Sequence, residues 1–158
     1  MGMRVIYSDT PMPASAFDAH SLFLAGPTPR DAATNSWRPE ALGILNQLNY
    51  AGSVFVPEWS SPSTSVDYLT QVSWERTGLE RASRIVFWIP RETACMPAFT
   101  TNVEFGFWLA RSPERILYGR PAWAAKCDYL DWLFAHETGR KPFDDLGALL
   151  RTAVSHGP

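Results

Sequence analysis

The hydrophobic residues of this chain fall into short apolar runs that are separated by longer amphipathic stretches. Five runs have the length and the β-branched or aromatic content of strands: 5–7, 21–25, 53–56, 85–89 and 115–118. The run 85–89 is apolar at every position and ends at Pro90, as expected for a strand that is covered on both faces. We therefore predict that this strand lies in the interior of a sheet.

Apolar residues recur at helical spacing between and after these runs. Helices are predicted after Ser36 and after Asp67, whose side chains are suited to cap them, and at about 101–111, 124–137 and 143–154. Strands that alternate with helices are typical of parallel βαβ units. The pattern predicts an α/β fold with a central parallel sheet and helices on both faces, in which ligands bind beyond the carboxyl ends of the strands.

Composition narrows the class of protein. The chain has 158 residues, of which 46% are hydrophobic and 19% charged, which fits a single globular domain over 1–158. The net charge of −2 argues against a nucleic-acid polymer as the partner, because a surface that binds one is normally basic. No apolar run approaches the ~18 residues that a membrane span needs. The N-terminal residues lack the pattern of a secretion signal, so we expect a cytoplasmic protein.

Few residues are suited to hold a metal or a cofactor. Cys95 and Cys127 form no CxxC pair, and the histidines, His20, His136 and His156, have no metal-ligand spacing. The glycines of a Walker loop or of a dinucleotide-binding loop are also missing. We therefore expect neither a metal nor a cofactor.

The loop after the run 21–25 is the first candidate for binding chemistry, and it reads Gly-Pro-Thr-Pro-Arg. Thr28 offers a hydroxyl and Arg30 a guanidinium, whose fork of donors suits phosphate or carboxylate groups. Two prolines hold such a loop in place before a ligand arrives. The alternative is a rigid turn with a surface arginine, and the sequence leaves both interpretations open.

Glu104 is the second candidate, because it opens a predicted helix after the strongest strand. Thr101 and Glu104 have the spacing of a capping box, in which the glutamate serves only the helix end. Gly106 weighs against that interpretation, since glycine costs ~1 kcal/mol relative to alanine inside a helix and points to a close approach of backbone or ligand. A carboxylate in a first helical turn is stabilised as an anion by the helix dipole, and such an anion can act as a nucleophile.

Glu75 is the third candidate, on the helix predicted after Asp67 and next to Trp74. It belongs either to a solvated helix face together with Glu80, or to a pocket where burial raises its pKa and makes it an acid. Glycosidases use pairs of carboxyl groups with different pKa values to cleave the glycosidic bond. Glu104 and Glu75 are therefore the candidate pair for such chemistry.

Several short motifs occur together in an order that resembles one known family. They are FLAGPTPR at 23–30, SWR at 36–38, VPE at 56–58, WE at 74–75, FWIPR at 87–91 and TNVEFG at 101–106. This ordered set, over about residues 21–135, resembles the nucleoside 2-deoxyribosyltransferase-like proteins, in particular their less characterised branch. The resemblance implies a three-layer α/β/α fold that is flavodoxin-like or Rossmann-like.

The resemblance also implies an activity and a site. In such proteins a glutamate attacks the anomeric carbon of a nucleoside or nucleoside 5′-phosphate and forms a covalent glycosyl-enzyme, and this role falls on Glu104. A second carboxylate, usually aspartate, handles the base and its proton, and Glu75 holds that position. The substrate-binding positions implied by the motifs are Gly26, Thr28, Arg30, Trp37, Arg38, Glu58, Trp74 and Asn102. Relatives are homo-oligomers, so we expect a dimer or a larger assembly.

Three functions are compatible with the sequence. The first is an enzyme that hydrolyses or transfers the N-glycosidic bond of a nucleoside or nucleotide. The second is a non-catalytic nucleotide-binding or sensor domain that keeps the fold; Phe23 favours it, because the family commonly has a tyrosine there that orients the nucleophile. The third is a protein-interaction module that uses the seven tryptophans and exposes a large apolar patch. A short distance between Glu75 and Glu104 would favour the enzyme, since retaining glycosidases hold their carboxyl groups ~5–5.5 Å apart.

Overall fold

The central feature of the fold is a five-stranded parallel sheet. A computed structural model describes residues 2–155, and within them the strands are β1 (Arg4–Tyr7), β2 (Ser21–Ala25), β3 (Ser53–Val56), β4 (Arg84–Trp88) and β5 (Ile116–Gly119). They lie in the order β1-β3-β2-β4-β5, and every neighbouring pair is parallel. The predicted parallel sheet is confirmed, and β4 lies in its interior as predicted.

Helices flank the sheet in the part of the chain that the structure describes. They are α1 (Arg38–Gln47), α2 (Tyr68–Arg81), α3 (Phe99–Arg111), α4 (Asp128–Thr138) and α5 (Leu146–Ser155). The predicted helices are confirmed, although α3 begins before the expected residue 101, and α4 and α5 begin later than expected. Between residues 2 and 155, every helix is too short or too polar to cross a bilayer.

Of the two helix caps predicted from the sequence, the cap of α2 is confirmed and the cap of α1 is wrong by one residue. The Asp67 carboxylate accepts the Thr70 N–H at 3.1 Å and caps α2 as predicted. Trp37, and not Ser36, occupies the cap position of α1. The Ser36 hydroxyl still accepts the Arg38 N–H at 3.2 Å, so it supports the helix start from one residue further away.

The two faces of the sheet carry separate cores, because neighbouring residues of a strand point to opposite faces. On one face Phe23, Phe55 and Phe87 pack with residues of α2, α3 and α4. On the other face Leu22, Val54 and Val86 pack with residues of α1 and α5. The central strands are thus buried on both sides, which explains their continuous apolar runs. The fold is the three-layer α/β/α arrangement that the resemblance implies, consistent with a flavodoxin-like protein.

The chain connectivity opens a crevice between β2 and β4. From β2 the chain passes to β3 on one side, and it then crosses to β4 on the other side. At such a switch point the loops leave the strand ends in opposite directions, and ligands bind in the space between them. This topology places the loop 26–30, which follows β2, opposite the start of α3, which follows β4.

Candidate active site

A cavity of about 250 Å³ lies at the carboxyl ends of β2 and β4. Its walls come from the loop 26–30, the first half of α2 and the segment 97–104. The sequence-predicted site residues that line it are Gly26, Thr28, Arg30, Arg38, Glu75 and Glu104. The candidate loop and both candidate carboxyl groups, which are far apart in the sequence, therefore share one cavity.

Glu75 from α2 and Glu104 from α3 bring their carboxyl groups into hydrogen-bonding contact. Burial, and then the charge of Glu75, raise the pKa of Glu104 to about 8. Burial also raises the pKa of Glu75, although a hydrogen bond from Gln71 and the charge of Arg38 act in the opposite direction. Two carboxyl groups this close cannot both be ionised at low cost. Glu104 therefore keeps its proton at neutral pH.

The structure corrects the predicted surroundings of Glu104. Because α3 begins at Phe99, Glu104 lies in the second helical turn, beyond the free N–H groups of the first turn. Thr101 lies inside the helix and Ala98, with φ of 59°, holds the cap position, so the capping box does not form. The prediction that the helix dipole keeps Glu104 ionised is wrong, because burial and Glu75 favour the protonated form. A Cβ on Gly106 would meet no described atom within 4 Å, so no close approach of the protein backbone explains this glycine within residues 2–155, and the approach of a ligand stays a prediction.

Arg38 uses most of its N–H donors in hydrogen bonds within the protein. Its guanidinium is 1% exposed and donates to the carbonyl oxygens of Leu24 (3.0 Å) and Gly26 (2.7 Å), to the Thr28 hydroxyl (3.0 Å) and to the Glu58 carboxylate (2.5 Å). These contacts use four of the five N–H donors of an arginine. Arg38 therefore holds the loop 26–30 in place. Glu58 does not line the cavity and instead balances the buried charge of Arg38.

Gly26 lets the loop pass close to β4. Its φ of 148° is rare for residues with a side chain, and a Cβ would lie 2.1 Å from the carbonyl oxygen of Trp88. The Trp37 ring lies against the same position, and its indole N–H donates to the Pro27 carbonyl oxygen at 3.2 Å. Trp37 therefore supports the loop from the core and does not line the cavity.

The structure does not bring Trp74 and Asn102 to the cavity. The indole of Trp74 is buried in the core and donates to the Thr10 carbonyl oxygen at 2.9 Å. The Asn102 side chain accepts a hydrogen bond from Arg91. Successive side chains on a helix point about 100° apart, so a motif of adjacent residues sends only some of them into one cavity.

Among the described residues that line the cavity, Arg30 is the cation whose charge is not balanced by a carboxylate. Its guanidinium lies 5.3 Å from the centroid of the Phe99 ring, and its main-chain N–H donates to the Cys95 carbonyl oxygen at 2.9 Å. Among the residues that the structure describes, Arg30 forms no ion pair. Its guanidinium is therefore available to an anionic or polar group of a ligand.

Gln71 is a cavity residue that the sequence analysis missed. Its amide nitrogen donates to Oε1 of Glu75 at 2.6 Å, and its amide oxygen accepts the indole N–H of Trp59 at 3.3 Å. The sequence signal for Gln71 was its spacing of four residues from Glu75, since residues four apart on a helix lie side by side. Tyr68 and Phe99 also line the cavity, and no sequence motif marks them.

The structure offers no metal-binding cluster within residues 2–155, where no three His, Cys, Asp or Glu side chains converge. His156 lies outside the described residues. The polar groups that face the cavity include the two carboxyl groups, the Gln71 amide, the Arg30 guanidinium and the Thr28 hydroxyl.

The residues that form this cavity lie in a segment that matches a known family. Residues 19–121 match the model of a family described as nucleoside 2-deoxyribosyltransferase like. The matched segment spans more than half of the chain, from before β2 to beyond β5, and it contains the loop 26–30, Glu75 and Glu104. No curated protein matches the chain. On the strength of the matched segment, the chain belongs to the nucleoside 2-deoxyribosyltransferase-like family.

Proposed function

We propose that this protein cleaves the N-glycosidic bond of a nucleoside or nucleoside 5′-phosphate through a covalent intermediate on Glu104. The observation that carries this proposal is the contact between the carboxyl groups of Glu75 and Glu104 in an open cavity. Retaining glycosidases likewise use two neighbouring carboxyl groups, one as the nucleophile and one as the acid. Membership of the family supports glycosyl transfer in general terms.

The carboxyl pair carries the one proton that the first step needs. In the free enzyme the proton lies on Glu104, which donates it in a hydrogen bond to Glu75. When substrate binds, the proton moves to Glu75 and leaves Glu104 as a carboxylate. An oxygen of Glu104 then bonds to the anomeric carbon while the C–N bond breaks. The electron pair of that bond leaves with the base, which takes the proton from Glu75.

The second step returns the pair to its starting state. Glu75, now ionised, removes a proton from water or from an N–H group of a second base. The oxygen or nitrogen so activated attacks the anomeric carbon and displaces the carboxylate of Glu104. Attack by water gives hydrolysis, and attack by a base gives transfer. In both cases one proton again lies between the two carboxyl groups.

We prefer this function to a non-catalytic binding domain for an energetic reason. Two carboxyl groups that are buried against each other lower the stability of the folded state at neutral pH, whereas a nucleophile and an acid for glycosidic chemistry need such a pair. Strongly raised pKa values in a cleft are typical of catalytic groups. Phe23 lines the cavity without a hydroxyl, so Glu75 is the group that orients Glu104.

Base release from nucleosides and from their 5′-phosphates tests the activity and the substrate class together. We expect Arg30→Ala to lower kcat/KM on phosphorylated substrates about tenfold or more, because a charged hydrogen bond is lost. Activity on unphosphorylated nucleosides should stay unchanged, as should both activities of Arg111→Ala, an exposed control outside the cavity. Equal losses on both substrate classes would rule out a phosphate contact at Arg30. Release of no base from any substrate would contradict the proposed function.

The pH dependence of kcat/KM should be bell-shaped, because only the pair with one proton is active. Above a pKa of about 8 the pair loses that proton and with it the acid. The acid limb should lie above the ordinary glutamate value of 4.5, because burial raises the pKa of Glu75 as well. Steady-state rates over this pH range test the prediction, with the exposed Glu80→Gln as a control of unchanged profile. A rate that stays constant through pH 8 and above would contradict it.

We also propose that a second copy of the chain covers the mouth of the cavity. Three exposed apolar side chains line it, and two more lie on the same helices, α2 and α3. Their exposed fractions range from 42% to 79%: Tyr68, Val72 and Phe99 in the lining, and Leu69 and Val103 beside them in the sequence of these helices. Contiguous exposed apolar surface typically marks a protein contact. Sedimentation velocity should show a dimer or a larger assembly, and a fully active monomer would contradict this part of the proposal.

A further inference from the structure

We propose that Gln71 and Trp59 are positioning residues that place the negative charge of the carboxyl pair on Glu75 and its proton on Glu104. The catalytic meaning of this placement rests on the proposed function. The placement itself follows from hydrogen-bond chemistry and holds whether or not a nucleoside is the substrate.

The four side chains form one hydrogen-bonded row from the protein surface into the cavity. Trp59 follows β3 and is partly exposed, and its indole Nε1 lies 3.3 Å from the amide oxygen of Gln71. The amide nitrogen of Gln71 lies 2.6 Å from Oε1 of Glu75. Glu75 in turn contacts Glu104. The row thus connects three parts of the fold: the segment that follows β3, helix α2 and helix α3.

Trp59, at the outer end of this row, sets the direction in which its hydrogen bonds are donated. An indole nitrogen can only donate a hydrogen bond, so Gln71 must present its amide oxygen to Trp59. Its NH₂ group then faces Glu75, and Glu75 must accept. A hydrogen bond donated to a carboxylate favours the ionised form. The single proton of the pair is therefore left on Glu104.

Among residues 2–155, the charged groups near the pair do not separate the two carboxyl groups in this way. Arg38, from α1, attracts both Glu75 and Glu104, and its own charge is balanced by Glu58 from the end of β3. Arg30, from the loop after β2, lies over Phe99. Because Arg38 acts on both carboxyl groups, the hydrogen bond that Gln71 donates to Glu75 is the polar contact that distinguishes them.

This placement keeps the nucleophile neutral until substrate arrives. A base that takes over the amide of Gln71 removes the hydrogen bond that stabilises the Glu75 anion. The proton then moves from Glu104 to Glu75. Glu104 becomes a carboxylate that can attack, and Glu75 becomes the acid that can protonate the leaving base. Binding of the base and activation of the nucleophile are thereby linked through Gln71.

Titration of the glutamate carboxyl carbons by ¹³C NMR on the whole ligand-free protein tests the placement without any substrate. In the wild type, Glu75 should ionise at lower pH than Glu104. In Gln71→Leu the pKa of Glu75 should rise by about one unit, because a hydrogen bond to a charged group is lost, and the two titrations should converge. Trp59→Phe should shift the pKa of Glu75 in the same direction by less, since the amide is kept but no longer oriented.

Two matched controls separate positioning from a general effect of mutation. Gln47→Leu, at the exposed end of α1, and Trp132→Phe, on the exposed face of α4, should leave both titrations unchanged. The acid limb of the kcat/KM profile of Gln71→Leu should move to higher pH together with the pKa of Glu75. Unchanged carboxyl titrations in Gln71→Leu would overturn the inference.

The two proposals fail in different ways. If the wild type releases no base from any nucleoside or nucleotide but Gln71→Leu still shifts the titration of Glu75, the proposed function is wrong and the proton placement holds. If base is released but the titrations of Gln71→Leu match those of the wild type, the placement is wrong and the activity holds.

Discussion

Glu104→Gln is expected to lower the rate of base release by about a thousandfold or more, because the covalent step loses its nucleophile. The amide keeps the shape of the side chain and can still donate to Glu75, so substrate affinity should change little. The measurement is kcat on the best substrate from the nucleoside screen. Mass spectrometry of the wild type with a slow, fluorinated substrate should show one sugar bound at Glu104.

The same variant separates a catalytic role from a structural one. In the folded wild type the pKa of Glu104 is about 8, against an ordinary value of 4.5, so the folded state holds a proton that the unfolded chain has already released. The free energy of unfolding of the wild type should therefore fall as the pH rises through this window. Glutamine does not ionise, so Glu104→Gln should be the more stable protein above pH 8 in urea unfolding.

A matched control for Glu104→Gln is Glu137→Gln, an exposed helical glutamate on α4. It should keep full activity and the stability of the wild type. Full turnover by Glu104→Gln would end the assignment of Glu104 as nucleophile. A loss of stability at neutral pH with unchanged turnover would mean that Glu104 serves only the structure.

Arg38→Met should lower the free energy of unfolding by about 3–5 kcal/mol, the usual effect of removing one partner of a buried ion pair. The change leaves the Glu58 carboxylate without its cation and the carbonyl oxygens of Leu24 and Gly26 without donors. The loop 26–30 should become mobile, so KM should rise more than kcat falls. Urea unfolding and steady-state kinetics measure the two effects.

Arg151→Met is the matched control for this prediction. Arg151 faces Asp145 at 3.7 Å, but both side chains are more than half exposed, and such surface pairs contribute about 0–1 kcal/mol. Arg38→Lys keeps the charge but lacks the planar fork of donors, so its stability should fall between those of the wild type and Arg38→Met. Equal stability of Arg38→Met and Arg151→Met would show that Arg38 does not hold the loop.

The layered architecture could be predicted from the sequence for a local reason. Strands that are covered on both faces need apolar residues at nearly every position, and helices need them at a different period. Those patterns are visible in the run 85–89 and after Asp67. The loop 26–30 could be singled out because it follows a central strand. Glu75 and Glu104 could be named because carboxyl groups beyond strand ends are suited to glycosidic chemistry.

The position of each side chain relative to the cavity could not be predicted in the same way. The start of α3 depends on Ala98 in a left-handed conformation, which no residue preference indicates, and this shift moved Glu104 out of the first helical turn. Trp37, Trp74 and Asn102 belong to the same sequence motifs as the cavity residues, but their side chains do not line the cavity. Arg38 was expected to meet a ligand, whereas most of its donors are used by the loop.

By itself, the sequence determined the order of strands and helices along the chain and the loop that faces the switch point. It also determined that Glu75 and Glu104 are the two candidate carboxyl groups. Only the tertiary structure decided which of them holds the proton. That state depends on burial, on the contact between α2 and α3 and on the amide of Gln71, whose orientation comes from Trp59 on another segment. Local pattern specifies elements because it acts along the chain, whereas a pKa depends on groups that only folding brings together.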